Sequence, residues 1–372
     1  MRVLFVNRMA SILRGGGETF DLEMARNLEQ EGCEITFLTG RPLTGSVRSP
    51  IESFAAHTIR SPYAGGINWD RWRGGWRIRQ ADFWWFEKQA ARWAMRERSR
   101  FDVIQVCELP RFVADWKKNK TGIPVVMRMT SPLYHDPVDG IGQADALIAS
   151  GTTIGVFRDG IREDCIDIPN GVDLDRFQPG PSTFREQHGI GAWETVVLFV
   201  ARLIPVKNHA MLIDAFHRFL EQHPESRLVL VGDGMEREKI LAKCRHLNIL
   251  GNVLLLGEAP FEQVPEIYAA ADIKAISSDY ESFSFTALEA MATAMPLVVT
   301  ETDWVPRLMG LGEGGIVVPK NDPEAFARAL ADLANHPERR KRMGERNRRT
   351  AESDYGWQAS AVKLMDVYRR LT

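Results

Sequence analysis

The stretch ESFSFTALEAMATAMPLVVT, residues 281–300, divides into three pieces. Ser282, Phe283 and Ser284 continue a strand poorly. Thr286 to Ala294, rich in Ala, Leu, Met and Glu, favours helix. The apolar run that opens with Pro296 reads as a buried strand. Glu281 then lies in a loop and Glu289 inside the helix, about two turns along. The helix N-terminus between them offers free N–H groups and the positive end of a dipole, which suit a phosphate. Two carboxylates that accept from sugar hydroxyls, with an anion site between, fit a sugar carried on a nucleotide diphosphate.

Outward from this stretch the same alternation repeats. In the second half, TVVLFV (195–200), RLVLVGDG (227–234), NVLLLG (252–257), IKAIS (273–277), PLVVT (296–300) and GIVVP (315–319) read as strands, with helical intervals such as His209 to Glu221 and Phe261 to Ala271. The first half opens with a strand over Val3 to Asn7, a loop ending in Gly15-Gly16-Gly17, a helix over Glu18 to Gln30 and a strand over Glu34 to Thr39. FDVIQVC (101–107), IPVVMRM (123–129) and DALIAS (145–150) follow as strands. Strands separated by helices predict parallel sheets. IPNGVDLDRFQPGPS (168–182), with three prolines and two glycines, reads as the linker. The fold class is therefore α/β, with two Rossmann-like doubly wound domains in tandem, residues 1–172 and 173–354, and the ligand expected in the cleft between them.

The chain has 372 residues, 44% of them hydrophobic and 26% charged, enough for two domains with sizeable cores. Its formal net charge of -2 gives no support to a nucleic-acid partner. Cys33, Cys107, Cys165 and Cys244 form no CxxC and suit a reducing cytosol. No run of about 20 apolar residues could span a bilayer, so the expected location is cytoplasmic.

After the first strand of the second domain comes ARLIPVKNH, which puts Arg202 and Lys207 on a strand-to-helix loop. A fork donor and a point cation there suit a diphosphate that gains charge as it leaves, although the pair could equally be solvated surface cations. ARLIPVKN, VGDG, the ESFSFTALEAMA block and IPNGVD together resemble the retaining glycosyltransferases of family 4, which have the GT-B fold. GGGE followed by MARNLEQEGCEITFLT extends the resemblance over nearly the whole chain. The resemblance implies a sugar transfer from a UDP- or GDP-sugar to a hydroxyl of a saccharide or glycolipid acceptor. It implies Arg202 and Lys207 on the donor pyrophosphate, Glu289 on the ribose, and Glu281 by the donor sugar. Backbone N–H groups of Phe283, Ser284 and Phe285 would meet sugar and phosphate, and Gly232 a tight turn beside the base. Gly15, Gly16 and Gly17 would let the backbone approach donor phosphates or acceptor, using the close contacts and unusual dihedrals open to glycine. Thr130 stands where the family often has His, and His135 follows five residues later; both are acceptor-side candidates. The helix from about 355 to 372 would pack back on the first domain. No metal or other cofactor is expected. Ser284 stands where relatives usually carry Gly, and Asp303-Trp304-Val305-Pro306-Arg307 replaces a usual Gly-Gly-x-Pro-Glu.

Alternatives within the same reading are a sugar-nucleotide-binding protein without catalysis and a nucleotide-sugar epimerase. Asp173-Leu174-Asp175 matches a metal-chelating DxD but sits among linker turn residues, and reads as turn chemistry. Residues 69–100 hold six of the ten tryptophans (Trp69, Trp72, Trp76, Trp84, Trp85, Trp93) and a cation surplus. They suit either an amphipathic helical pair packed on the first sheet, or contact with an acceptor or with the inner face of a membrane.

Overall fold

The computed structural model describes residues 1–12, 15–41, 51, 53–61, 75–131, 138–260, 262–310 and 312–372. The chain forms two compact units, one of Met1–Asn170 with Trp357–Thr372, the other of Gly171–Gly356.

The first unit is built on a parallel sheet of β1 (Arg2–Val6), β2 (Glu34–Arg41), β3 (Ala55–Arg60), β4 (Val103–Cys107), β5 (Val125–Arg128), β6 (Ala146–Ala149) and β7 (Ile166–Asp167). Its order is β3-β2-β1-β4-β5-β6-β7. The second unit holds β8 (Val196–Val200), β9 (Arg227–Val231), β10 (Val253–Gly257), β11 (Ile273–Ile276), β12 (Leu297–Thr300) and β13 (Gly315–Val318), in the order β10-β9-β8-β11-β12-β13, again all parallel. The winding reverses between β1 and β4 and between β8 and β11. At such switch points neighbouring loops diverge and open a crevice beyond the strands' carboxyl ends.

Alternate residues of the second sheet feed separate cores. Val196, Leu198, Val229, Val231, Leu297 and Val299 enter one, while Val197, Phe199, Leu228, Leu230, Ile273 and Val298 enter the other. Burial on both faces is what makes these strands read as unbroken apolar runs.

The helix Trp357–Leu371 belongs to the first unit. Trp357 meets the edge of the Phe20 ring at 5.9 Å, Ser360 Oγ donates to the Pro169 carbonyl at 2.9 Å, and the Tyr368 hydroxyl donates to Gln105 Oε1. Where a helical pair was one reading of residues 69–100, the described part is one long helix, Gly75–Arg96, followed by a short 3-10 turn; Trp69 and Trp72 lie outside the described residues. Trp84 and Trp85 are 44% and 53% exposed, whereas Trp93 stacks on His57 at 4.6 Å. The helix is fastened through Asp82, which takes a 2.6 Å ion pair from Arg8 and a 2.5 Å hydrogen bond from Ser61, all three buried. Among the described residues no helix is long and apolar enough to cross a membrane.

Candidate active site

In the second unit, the loop after β8 carries Arg202 and Lys207. A 3-10 turn, Pro205–Lys207, ends at Asn208, whose φ is +50° and whose Oδ1 accepts the Met211 N–H to start the helix His209–Leu220. The glycine turn after β9 lies directly against this loop. Ala201 N–H donates to the Val231 carbonyl at 3.0 Å, Leu203 N–H to that of Asp233 at 2.9 Å, and Glu236 N–H to that of Leu203 at 3.0 Å. A Cβ on Gly232 would stand 1.9 Å from the Ala201 carbonyl oxygen, and one on Gly234 2.4 Å from that of Leu203. With φ of +131° and +157° as well, both positions demand glycine. The turn therefore does more than reverse the chain: it braces the loop that presents the cations.

From the neighbouring strand β11 the chain runs through Ser277 and Ser278 to Glu281. Lys207 Nζ donates to Glu281 Oε1 at 2.6 Å, and Ser278 Oγ donates to the same oxygen at 2.6 Å. Ser277 Oγ donates to the Lys207 carbonyl at 2.9 Å. Glu281 is buried, so this charge-assisted bond is short of competing water. Arg202 is exposed, and its guanidinium has no hydrogen-bond or ion-pair partner among the described residues.

The helix Phe285–Ala292 begins immediately after Ser284, whose φ of +76° puts a side chain where the backbone favours glycine. Because the helix starts at Phe285, Glu289 lies about one turn in, not two. Tyr268 donates its hydroxyl to Glu289 Oε2 at 2.7 Å. Burial raises the Glu289 carboxyl above the usual carboxylate range, opposed by the Tyr268 hydrogen bond and by Lys274 and Arg176. Phe283 is buried and stacks on Trp304 at 5.9 Å, so what this residue can offer a ligand is its backbone. Trp304 comes from the Asp303–Arg307 segment, which leads into the short helix Val305–Leu308. Thus Lys207 after β8 is paired with Glu281 after β11, Ser284, Phe285 and Glu289 follow along the same chain segment, and Gly232 packs against the loop that carries Lys207.

In the first unit, Gly15 caps the helix Gly16–Gln30, and its N–H donates to Glu18 Oε2 at 3.1 Å. None of Gly15, Gly16 and Gly17 has positive φ, which corrects the expectation of unusual dihedrals: Gly15 is extended, and Gly16 and Gly17 begin a helix. Arg128, the last residue of β5, donates to the Gly17 carbonyl at 3.0 Å and to Asn170 Oδ1 at 3.3 Å, with its guanidinium 3.7 Å from the Phe20 ring centroid. A Cβ on Gly17 would lie 3.5 Å from Thr130 Cγ2, so Gly17 and Thr130 are neighbours. Thr130 N–H, Thr130 Oγ1 and Ser131 N–H all donate to Glu108 Oε1, at 2.7, 2.6 and 3.0 Å. His135 lies outside the described residues.

Sequence reading missed the side chains that hold this end together. Asp21, buried and with its carboxyl raised by burial, accepts from Asn7 at 2.7 Å and from Gln105 at 3.2 Å, with Arg128 3.9 Å away. Glu108 orders the start of the loop after β5. Gln105, Arg128 and, in the second unit, Lys274 are polar residues interrupting apolar strand runs, and that interruption was the available signal. In the linker, Asp173 Oδ1 accepts the N–H groups of Asp175 at 3.2 Å and Arg176 at 3.0 Å, an Asx turn.

Residues 182–350 match the family model of the glycosyl transferases group 1. The chain is 36% identical over 217 residues to a D-inositol 3-phosphate glycosyltransferase of Corynebacterium jeikeium, an alignment covering 55% of this chain and 51% of the relative. It thus spans about half the length of that protein. A D-inositol 3-phosphate glycosyltransferase of Kineococcus radiotolerans is 29% identical over 410 aligned positions, covering 96% of this chain and 90% of the relative. Among solved structures, Anabaena Alr3699/HepE in complex with UDP superposes with a TM-score of 0.78 over 100% of both chains at 19% identity, a likeness of fold.

Proposed function

Because the chain belongs to the group 1 glycosyl transferases, with the GT-B fold, and is a glycosyltransferase, we propose that it is a retaining enzyme that takes its sugar from a UDP- or GDP-sugar. The observation that carries this reading is the Lys207–Glu281 pair at 2.6 Å, formed across the β8/β11 switch point beside the start of the helix that bears Glu289.

The roles follow from the chemistry of each group. Lys207 and Arg202 neutralise the donor diphosphate, which gains charge as the bond from its oxygen to the anomeric carbon breaks. Glu281, held by Lys207 and Ser278, fixes the sugar through its hydroxyls. Glu289, whose Oε2 is already occupied by Tyr268, accepts from the ribose with its other oxygen. The first-turn N–H groups of the helix Phe285–Ala292 and the backbone of Phe283 and Ser284 bind phosphate or sugar oxygens. The acceptor hydroxyl adds to the anomeric carbon on the face the diphosphate leaves, and its proton passes to a departing phosphate oxygen, so no protein base is required. We assign the acceptor, a saccharide or glycolipid hydroxyl, to the Gly15–Gly17 and Thr130 end of the first unit. The reading includes no metal or resident cofactor: the linker Asp173 that matches a chelating pattern spends its carboxylate on backbone N–H groups.

Release of UDP or GDP from a panel of their sugars tests the proposal. K207A and E281A should each lower turnover by about 100-fold or more, as removal of a single transition-state donor does elsewhere. Unchanged turnover in either variant would reject the site. The strained Ser284 favours a second reading, binding without transfer; nucleotide binding without any release of UDP or GDP would establish it.

A further inference from the structure

Lys274 lies in the middle of β11 and is completely buried. Its ammonium has no hydrogen-bond partner among the described residues. Instead it sits 5.6 Å from the ring centroids of both Phe199 and Tyr268. Tyr268 is the residue whose hydroxyl holds Glu289 at 2.7 Å, and its ring is itself buried. An ammonium inside a parallel strand is costly unless something draws it there. The charged groups that act on it are Glu289 on the helix Phe285–Ala292, Glu281 on the loop after β11, and Lys207 after β8, with Arg176 acting on Glu289 from the linker side. The two carboxylates attract the ammonium and Lys207 repels it.

Glu281 spends its Oε1 on Lys207, and the hydrogen-bond partner of the Glu289 carboxylate among the described residues is a neutral phenol. A diphosphate arriving beside two carboxylates would meet repulsion that Lys207 and Arg202 alone must overcome. We propose that Lys274 is a positioning residue of the donor site: a buried counter-charge, braced behind Tyr268, that holds Glu289 charged and in place and offsets the carboxylates when an anionic nucleotide binds. This rests on the donor-site reading given above. Burial pushes the Lys274 ammonium down to about 7, with Glu289 and Glu281 pulling it back up. The added negative charge of a bound nucleotide favours the protonated form, so binding takes up a proton near neutral pH, and affinity falls as pH rises above 7.

Two measurements on the full chain test this. In the first, UDP and GDP binding is followed by calorimetry from pH 6 to 9 in buffers of differing ionisation enthalpy. The parent should take up a proton on binding at pH 7.5 and lose affinity by up to about tenfold per pH unit above 7. K274M should bind about tenfold more weakly at pH 6 and lose both the uptake and the slope, while K274R, charged throughout, should restore affinity at pH 8 and above. In the second, without ligand, urea unfolding of K274M, E289Q and the double variant should be non-additive at pH 6 and close to additive at pH 9. Additivity at pH 6, or an unchanged pH slope in K274M, overturns the role of Lys274. Coupling that stands while the parent binds neither nucleotide overturns the donor-site reading itself and the positioning role with it.

Discussion

An ammonium group beside two aromatic rings, with no hydrogen-bond acceptor among the described residues, pulls stability and function in opposite directions, and Lys274 shows the conflict in one side chain. Its folded-state value is about 7 against an ordinary 10.5. Below pH 7 both folded and unfolded chains carry the proton, and the native state bears the full cost of burying it. Between about 7 and 10.5 only the unfolded chain stays protonated, so this residue's penalty is relieved as pH rises. K274M should therefore be more stable than the parent by about 1–4 kcal/mol at pH 6, with the gap closing toward pH 10, as read by urea unfolding. A neighbouring contrast is His209, also buried and, among the described residues, without a partner at either ring nitrogen, whose value burial lowers to about 4. It is neutral throughout the working range and packs edge-on to Phe199 as an apolar ring. Lys274 and His209 are both written in the sequence as polar residues, yet nothing in their local spacing says that one lies under a cluster of carboxylates. Gln105 and Arg128 are the same case in the first unit. Each interrupts an apolar strand, which is visible in one dimension; what each touches lies far off in sequence, 84 and 263 positions away for Gln105 and 42 and 111 for Arg128.

At the level of elements, the parallel strands were legible because burial on both faces leaves continuous apolar runs, and IKAIS and PLVVT are examples. The strands β3 and β7 were not. AAHTIR at the edge of the first sheet is half-exposed and mixed in character, and β7 is only Ile166–Asp167. Helix starts were displaced by one or two residues for a physical reason: Gly16 and Phe285 enter helices that propensity would begin at Glu18 and Thr286, because Gly15 and Ser284 supply the non-helical residue before them. The motifs announced which residues to watch, but the pairing of Lys207 with Glu281 needs β8 and β11 to be neighbours, which is a property of strand order. The VGDG turn shows how tightly such elements interlock. Replacing Gly232 with Ala would force a Cβ to within 1.9 Å of the Ala201 carbonyl at a φ of +131°. We expect G232A to lose roughly 2–4 kcal/mol of stability in urea unfolding and, by moving the Arg202 loop, to weaken UDP or GDP binding in calorimetry.

For the molecule as a whole, the first unit draws its last helix from the far end of the chain. Tyr368 on that helix donates to Gln105, and Gln105 donates to Asp21, so a chain of buried hydrogen bonds ties the C-terminal helix through β4 to the helix that follows the glycine run. Removing the phenol in Y368F leaves Gln105 Oε1 without its donor and should cost about 1–3 kcal/mol, measured as a lower urea midpoint with an unchanged slope. The order of the units in sequence also has a temporal side. During synthesis, residues up to Asn170 leave the ribosome long before Trp357, and at ordinary elongation rates roughly 10–40 s separate the two. For that interval the surfaces that Trp357 and Tyr368 will cover, including Phe20 and the Asp21–Gln105 pair, face the cell uncovered. The nascent first unit waits with all seven strands made but without its last helix, while the segment Gly171–Gly356 emerges whole.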